Sequence, residues 1–232
     1  MEDVLQQKYP TIRSYVGKSL GTSKSTIRFS VTPIGVHAMI FKQSGGVIYI
    51  ESNSLTLTDA GTLITSSSFG NVGDSGDVII RSKLIDILNG AEIRTLTESD
   101  GSAGTIDIKD ANLILLNNGS ISVASSALGD AGGIDIETNA LTMQAAASID
   151  SSTSSTDTIN PGGDGGTITI QTEILDMKGA DTLINTSSSG NGGAGGDIAL
   201  RSQSLVILDN AGIKALTESK GSAGNIDIQN AK

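Results

Sequence analysis

The sequence contains no cysteine, no tryptophan and a single histidine. Without cysteine, the 232-residue chain forms neither disulfides nor thiolate metal sites. Aromatic residues make up only 3% of the chain, which argues against the stacking platforms that bind single-stranded nucleic acids. The net charge of −10 repels phosphate backbones. We therefore expect no nucleic-acid partner.

Long apolar segments are also missing. No run approaches the roughly 20 residues that a transmembrane helix needs. Met1 is followed by Glu2 and Asp3 rather than by the apolar centre of a signal peptide. We expect no membrane insertion, and if the protein is exported, its export signal preceded Met1.

Glycine, by contrast, is abundant, with 29 residues. One pattern occurs seven times: Gly, any residue, Ile or Val, any residue, Ile or Leu. Its glycines lie at positions 46, 76, 104, 132, 166, 196 and 224. A period near 30 residues is typical of solenoids, in which each repeat buries its apolar side against its neighbours.

The apolar positions within the repeats share one register. The first pair belongs to the pattern itself, a second pair follows nine and eleven residues after its glycine, and a third apolar position comes later. The second pairs are Leu55/Leu57, Ile85/Ile87, Leu113/Leu115, Leu141/Met143, Leu175/Met177 and Leu205/Ile207. The third positions are Leu63, Ile93, Ile121, Ile149, Leu183 and Ile213. Such alternation predicts three short strands per repeat. The fold expected is all-β: a right-handed parallel β-helix of six to seven coils, with positive φ at the turn glycines.

Residues 1–42 lie outside the repeat and predict a small N-terminal α/β cap. They carry six Lys/Arg against two acidic residues, whereas the remaining 190 residues are strongly acidic. Residues 2–8 are expected to form a short helix that ends at Pro10. Residues 26–31 and 36–41 are expected to form two strands joined by a turn. The domain boundaries predicted are 1–42 for the cap and 43–232 for the β-helix.

The chain ends at Lys232, inside the seventh repeat and before its second apolar pair. Solenoids need a polar cap at each end because an open end exposes unpaired backbone groups. This ending predicts an array truncated at its C-terminus. The open end is expected to support weak end-to-end self-association.

The N-terminal segment resembles the start of the prodomain of secreted bacterial reprolysin-like zinc metalloproteases. The likeness rests on residues 8–17, 26–30 and 35–40, and continues through 46–50. It implies an exported ancestor. It does not imply the protease activity, because those enzymes need a His-Glu-x-x-His helix and this chain has one histidine.

The repeats are similar to those of filamentous-haemagglutinin-type bacterial exoproteins over residues 46–232. The likeness is carried by Gly-Ser-Ala-Gly-[Thr/Asn]-Ile-Asp-Ile at 101–108 and 221–228, and by residues 89–93 and 95–97. The amino-terminal secretion domain of that family is not present. The resemblance implies a non-catalytic structural or adhesive segment, an extracellular or bacterial cell-surface location, and a carbohydrate or cell-surface ligand.

A cluster of charged residues offers an alternative function. Asp107 and Lys109 occupy the same repeat positions as Asp135 and Glu137 in the next coil. Stacking places Asp107 against Asp135 and Lys109 against Glu137 at about 4.8 Å. Paired carboxylates can serve as acid and base, so the alternative is a polysaccharide lyase or glycoside hydrolase. The plainer interpretation is a solvated face.

Two further patterns have structural and functional interpretations. Residues 192–200 match the calcium-binding nonapeptide, which makes Asp197 a calcium candidate. Calcium β-rolls repeat every nine residues, whereas this chain repeats near 28, so a structural turn is favoured and no cofactor is expected. A row of hydroxyls, comprising Thr97, Ser125, Thr153 and Thr217 with Ser67 and Ser187 nearby, predicts stacking between coils. The alternative is an ice-binding face.

Overall fold

The computed structural model describes residues 13–18, 26–32, 35–41, 46–69, 73–155, 162–191, 193–218 and 220–230. Its described residues contain strands and turns but no helix. The fold is all-β, with parallel sheets stacked into a β-helix of about six turns. The predicted parallel β-helix is therefore confirmed.

The N-terminal strands form a separate antiparallel sheet. β1 (Arg13–Lys18), β2 (Thr26–Thr32) and β3 (Gly35–Phe41) lie in the order β1-β2-β3. β2 and β3 confirm the two predicted strands, whereas β1 was not predicted. The expected helix at residues 2–8 lies outside the described residues. The capping role and the domain boundary at residue 42 remain predictions.

Each coil of the β-helix contributes one long and one short strand. The long strands are β4 (Ile48–Thr58), β6 (Val78–Leu88), β8 (Ile106–Asn117), β10 (Ile134–Gln144), β12 (Ile168–Lys178) and β14 (Ile198–Leu208), followed by the shorter β16 (Ile226–Asn230). The short strands are β5 (Leu63–Ser68), β7 (Glu92–Thr97), β9 (Ser120–Ser125), β11 (Ser148–Ser154), β13 (Leu183–Ser189) and β15 (Gly212–Thr217). They form a seven-stranded and a six-stranded parallel sheet, and β3 contacts β4 and β5 at one end.

The prediction of three strands per coil is wrong, because the first two apolar pairs lie in one long strand. At the centre of that strand a buried hydroxyl donates to the backbone carbonyl two residues later. Thr138 Oγ1 donates to the Ala140 carbonyl at 3.1 Å and Ser202 Oγ to the Ser204 carbonyl at 2.7 Å. The strand therefore bends at this position, which we call the corner, without ending.

The core is formed by stacked columns of Ile, Leu, Val and Met. Ile134, for example, pairs in register with Ile106 and Ile168, and all three are buried. At the far end of the stack, side chains of β14 and β16 such as Ile207 and Ile228 are exposed. Because parallel sheets bury their inner face, the columns account for the β-branched composition of the strands.

The structure shifts the predicted core register in three coils. In β8, Ile114 and Leu116 are buried, rather than Leu113 and Leu115. The reason is a β-bulge that adds one residue, Asp110, with φ 63°. Bulges displace the following residues by one position.

The other two shifts arise in turns. Ile64 and Ile184 are buried where the sequence favoured Leu63 and Leu183. In both coils the turn between the long and short strands has four residues, 59–62 and 179–182, one more than the turn of the second coil. The extra residue moves the inward position of the following strand by one.

The third side of each coil is a glycine-rich segment without a strand. A Cβ on Gly132 would overlap the backbone carbonyl of Gly104, and a Cβ on Gly166 would overlap that of Gly132. Neither residue has a positive φ in the left-handed range. The pattern glycines are instead required because the close approach of neighbouring coils excludes a side chain there, whereas the predicted positive φ is found at the turn glycines Gly61, Gly90 and Gly179.

The hydroxyl row points inward. Thr97, Ser125, Thr153 and Ser188 are buried and pair in register between coils. Thr153 Oγ1 donates to the Gly163 carbonyl at 2.9 Å. The row thus ties the short strands to the glycine-rich side, and its burial is inconsistent with an ice-binding face. Ser68 and Ser188, rather than Ser67 and Ser187, continue the row because of the four-residue turns.

Candidate functional site

The acidic pair predicted from the sequence stands on the outer face of the long strands. Asp107 in β8 pairs in register with Asp135 in β10, so the predicted stacking of these carboxylates is confirmed. The predicted pairing of Lys109 with Glu137 is wrong, because the bulge interrupts the register there. Lys109 Nζ instead lies 2.9 Å from Asp135 Oδ2 and 3.6 Å from Asp107 Oδ1.

A second cation completes this ion-pair network. Arg81 Nη2 lies 2.7 Å from Asp107 Oδ2, and Arg81 Nη1 donates to the Asp107 backbone carbonyl at 3.2 Å. Arg81 pairs in register with Glu51 and Lys109, and its diagonal contact with Asp107 was not predicted from the sequence. Asp107 therefore has one cation near each carboxylate oxygen.

The electrostatics of the network stabilise the charged forms of its two cations. The hydrogen bond to Asp135, reinforced by the charges of Asp135 and Asp107, raises the pKa of Lys109. The hydrogen bond to Asp107 raises the pKa of Arg81, against the opposing effect of desolvation. The ion pairs of these four side chains link neighbouring coils.

Asp197, the calcium candidate, makes hydrogen bonds to the next coil. Its Oδ1 accepts from the Asn225 backbone N–H at 2.7 Å and from Asn225 Nδ2 at 3.2 Å. Asp77 and Asp164 act in the same way, accepting from the backbone N–H of Thr105 at 2.8 Å and of Ala194 at 2.7 Å. Within the described residues, no three His, Cys, Asp or Glu side chains come together as a metal-binding group.

A groove follows the corner of the long strands, and we call it the corner groove. One wall consists of Asp110, Glu137 and Gln171. The other consists of Lys83, Asn112, Asn139, Glu173 and Gln203. Its floor is Ala111, Thr138 and Thr172, and the groove encloses about 410 Å³.

The corner groove arises from a change in side-chain alternation. Before the corner, side chains alternate inward and outward; at the corner, two consecutive residues such as Lys83 and Leu84 both point outward. Asn139 is flanked by the register pairs Thr138–Thr172 and by Ala140–Ile174, so it stands beside Glu173. Successive wall residues are therefore spaced by about 4.8 Å, the distance between neighbouring strands.

The bulge places Asp110 where the corner groove meets a second hollow. That hollow encloses about 660 Å³, and its lining includes Glu51, Asn53 and Arg81 together with Lys83 and Asp110. Lys83 and Asp110 thus belong to both spaces. This region was not predicted from the sequence, because the pattern glycines on either side of the bulge keep the spacing of the preceding coil. The bulge is visible only in the structure, where Ile106–Asn117 is one residue longer than the neighbouring long strands.

Comparisons with known proteins identified no similar protein. No family model matches the chain, and no significant match was found among curated proteins or among solved structures. In the part of the chain that the structure describes, no helix is long and apolar enough to cross a bilayer.

Proposed function

We propose that this chain is a non-catalytic, adhesive segment of a bacterial surface or secreted exoprotein. The β-helix is a scaffold that displays outward side chains at regular spacing while its apolar columns stack inside. The resemblance of the repeats to filamentous-haemagglutinin-type exoproteins supports the location outside the cell. A carbohydrate or cell-surface ligand fits the polar outer face of the long strands.

The observation that carries this proposal is the mutual pairing of Asp107, Asp135, Arg81 and Lys109. A general acid must hold a proton near neutral pH, which like-charged or buried surroundings favour. Here, by contrast, two cations lie within 4 Å of the carboxylates. The mutual pairing links β6, β8 and β10, which supports a structural rather than a catalytic role for these carboxylates.

A turnover assay separates this proposal from the lyase or hydrolase alternative. The chain is incubated with polygalacturonate, alginate or chitin, and reducing ends and unsaturated products are measured. We expect no product from the native chain. Turnover that disappears in the variant Asp107→Asn with Asp135→Asn would refute the non-catalytic function.

A retention assay tests the adhesive function itself. Beads carrying the chain are passed over immobilised polysaccharides and over bacterial and eukaryotic cell surfaces, with beads carrying an unrelated acidic protein as the control. We expect retention above the control on at least one surface. Equal retention on every surface would refute an adhesive function.

A further inference from the structure

Two sets of polar side chains lie side by side on the long strands, and they differ in their partners. Arg81, Asp107, Lys109 and Asp135 bind one another. Within the described ranges, the side chains that form the two walls of the corner groove make neither a hydrogen bond nor an ion pair. An open groove whose donors and acceptors are unpaired is suited to bind a polar ligand.

The floor of the corner groove differs from its walls. Thr172 Oγ1 donates to the backbone carbonyls of Asn139 at 3.1 Å and Ile174 at 2.9 Å. Thr138 Oγ1 likewise donates to the Ala140 carbonyl. The floor hydroxyls therefore hold the corner in shape, and the wall side chains remain for recognition.

We propose that the corner groove binds a linear, uncharged polysaccharide lying along the axis of the β-helix, a proposal that rests on the adhesive function proposed above. Asp110 and Glu137 accept hydrogen bonds from sugar hydroxyls, while Lys83 and Asn139 donate. The wall side chains belong to five successive long strands, β6 to β14, so the groove extends for about 19 Å. This length accommodates several sugar rings of an extended chain.

The charges and side-chain types of the walls define the class of ligand. Three carboxylates, Asp110, Glu137 and Glu173, face one cation, Lys83, which disfavours anionic polysaccharides. Asn and Gln amides combine donors and acceptors and so match hydroxyl groups. A polyamine would satisfy the carboxylates but leave Lys83 and the amide donors unpaired. No aromatic side chain lines the groove, so each groove binds weakly and adhesion requires several copies.

The bulge at Asp110 is the irregular feature that this proposal explains. Without the extra residue, β8 would have the eleven residues of its neighbours. β-Bulges re-aim side chains next to binding sites, and this one directs a carboxylate into the space shared by both hollows. Asp tolerates the positive φ better than most residues do.

Affinity electrophoresis tests the proposal with the full chain. Native gels contain hydroxyethyl cellulose, galactomannan or dextran as uncharged probes, polygalacturonate as an anionic probe, or chitosan as a cationic probe. We expect retardation by at least one uncharged polysaccharide and none by polygalacturonate. Glu137→Ala with Asn139→Ala should weaken that binding roughly tenfold or more, since it removes two hydrogen-bonding side chains.

Two further variants separate binding from folding. The control Glu98→Ala with Gln144→Ala also removes one carboxylate and one amide, outside the groove, and should leave the retardation unchanged. Asp110→Gly keeps a residue that accepts φ 63° but removes the carboxylate. It should weaken binding several-fold while circular dichroism and the melting temperature show an intact fold.

Several results would overturn the proposal. They are no retardation by any uncharged probe, retardation by chitosan alone, or equal retardation of the native chain and the Glu137/Asn139 variant. Bead retention distinguishes the two proposals. If the groove variant keeps full retention on cells, the corner groove is not the binding site, but the adhesive function stands. If native beads are not retained at all, the adhesive function itself fails.

Discussion

Replacing Gly132 by alanine should destabilise the β-helix far more than the same change at the next residue, Gly133. A Cβ on Gly132 would overlap the Gly104 carbonyl oxygen and lie 2.7 Å from the carbonyl oxygen of Ala103. These atoms belong to the backbone of the preceding coil, so no side-chain rotation relieves the contact. A Cβ on Gly133 meets one atom, the Thr167 carbonyl oxygen, at 3.4 Å, which is ordinary van der Waals contact.

The size of the difference follows from the contacts that must change. Overpacking costs about 1–3 kcal/mol. Moving Gly132 away from Gly104 also disturbs the hydrogen bond in which Ser151 Oγ donates to the Gly132 carbonyl at 2.8 Å. Loss of that hydrogen bond adds about 1 kcal/mol. We expect Gly132→Ala to lower the free energy of unfolding by about 3 kcal/mol. Gly133→Ala should raise it by roughly 0.4–1 kcal/mol, because alanine restricts the unfolded chain.

Thermal unfolding followed by circular dichroism at 218 nm, the strand minimum, measures both variants against the native chain. For a chain of this size, 1 kcal/mol shifts the melting temperature by about 2–4 °C. Gly132→Ala should therefore melt roughly 6–12 °C lower and Gly133→Ala slightly higher. Equal shifts for the two variants would refute the argument that inter-coil contact, rather than chain flexibility, requires glycine at the pattern position.

Three further predictions test the core, a turn and the ion-pair network. Ile134→Asp places an unpaired charge at a side chain that is 1% exposed, so the strand signal in circular dichroism should be lost; unchanged melting would contradict the assigned register. Ala146 is exposed with φ 63°, and Ala146→Gly should raise stability in urea unfolding by about 1 kcal/mol, whereas no gain would show that the turn is unstrained. Because pairing raises the pKa of Lys109, the contribution of Lys109 to the free energy of unfolding is complete below the ordinary lysine pKa of about 10.4. That contribution declines as pH rises through the higher pKa of the folded state. The melting temperatures of the native chain and Lys109→Met should therefore converge as pH rises past the ordinary lysine pKa, and a gap that persists at strongly alkaline pH would contradict the pairing.

The architecture was predictable because two periodicities agree. Alternating apolar residues indicate strands, and the spacing near 30 residues indicates stacked coils. The columns through Ile106, Ile134 and Ile168 stand in the predicted register. The stacking of Asp107 on Asp135 was predictable in the same way, because both residues precede the bulge and stand three residues after their pattern glycines.

Insertions explain the errors in the register. Each extra residue, at Asp110 or in the turns at 59–62 and 179–182, moves the next inward position by one. The shift cannot be read from the sequence where two apolar residues are adjacent. Leu113 and Ile114, or Leu63 and Ile64, are equally suitable for the buried position. Asp59, Asp110 and Asp181 have a left-handed φ in these segments, but so does Asn89 in a turn without an extra residue.

The corner groove was beyond prediction because it depends on which side of a bent strand each polar residue occupies. Lys83 and Asp110 are distant in sequence, and their proximity depends on a bend that the alternation pattern does not show. The ion pair between Arg81 and Asp107 was missed for a related reason. Arginine reaches diagonally across neighbouring strands, whereas a register count compares only residues directly opposite.

Residues 46–111 match residues 166–231 at an offset of 120 residues, and this internal repeat separates the requirements of the core from those of the groove. Core positions stay apolar across this offset, as at Ile48 and Ile168, because every coil must stack on the same columns. The walls of the corner groove do not keep their side-chain type across the offset, because Lys83 corresponds to the uncharged Gln203. Glu173 in turn corresponds to the uncharged Asn53, so the walls exchange charged and amide side chains between the two copies, as expected at positions that the stacking of coils does not constrain.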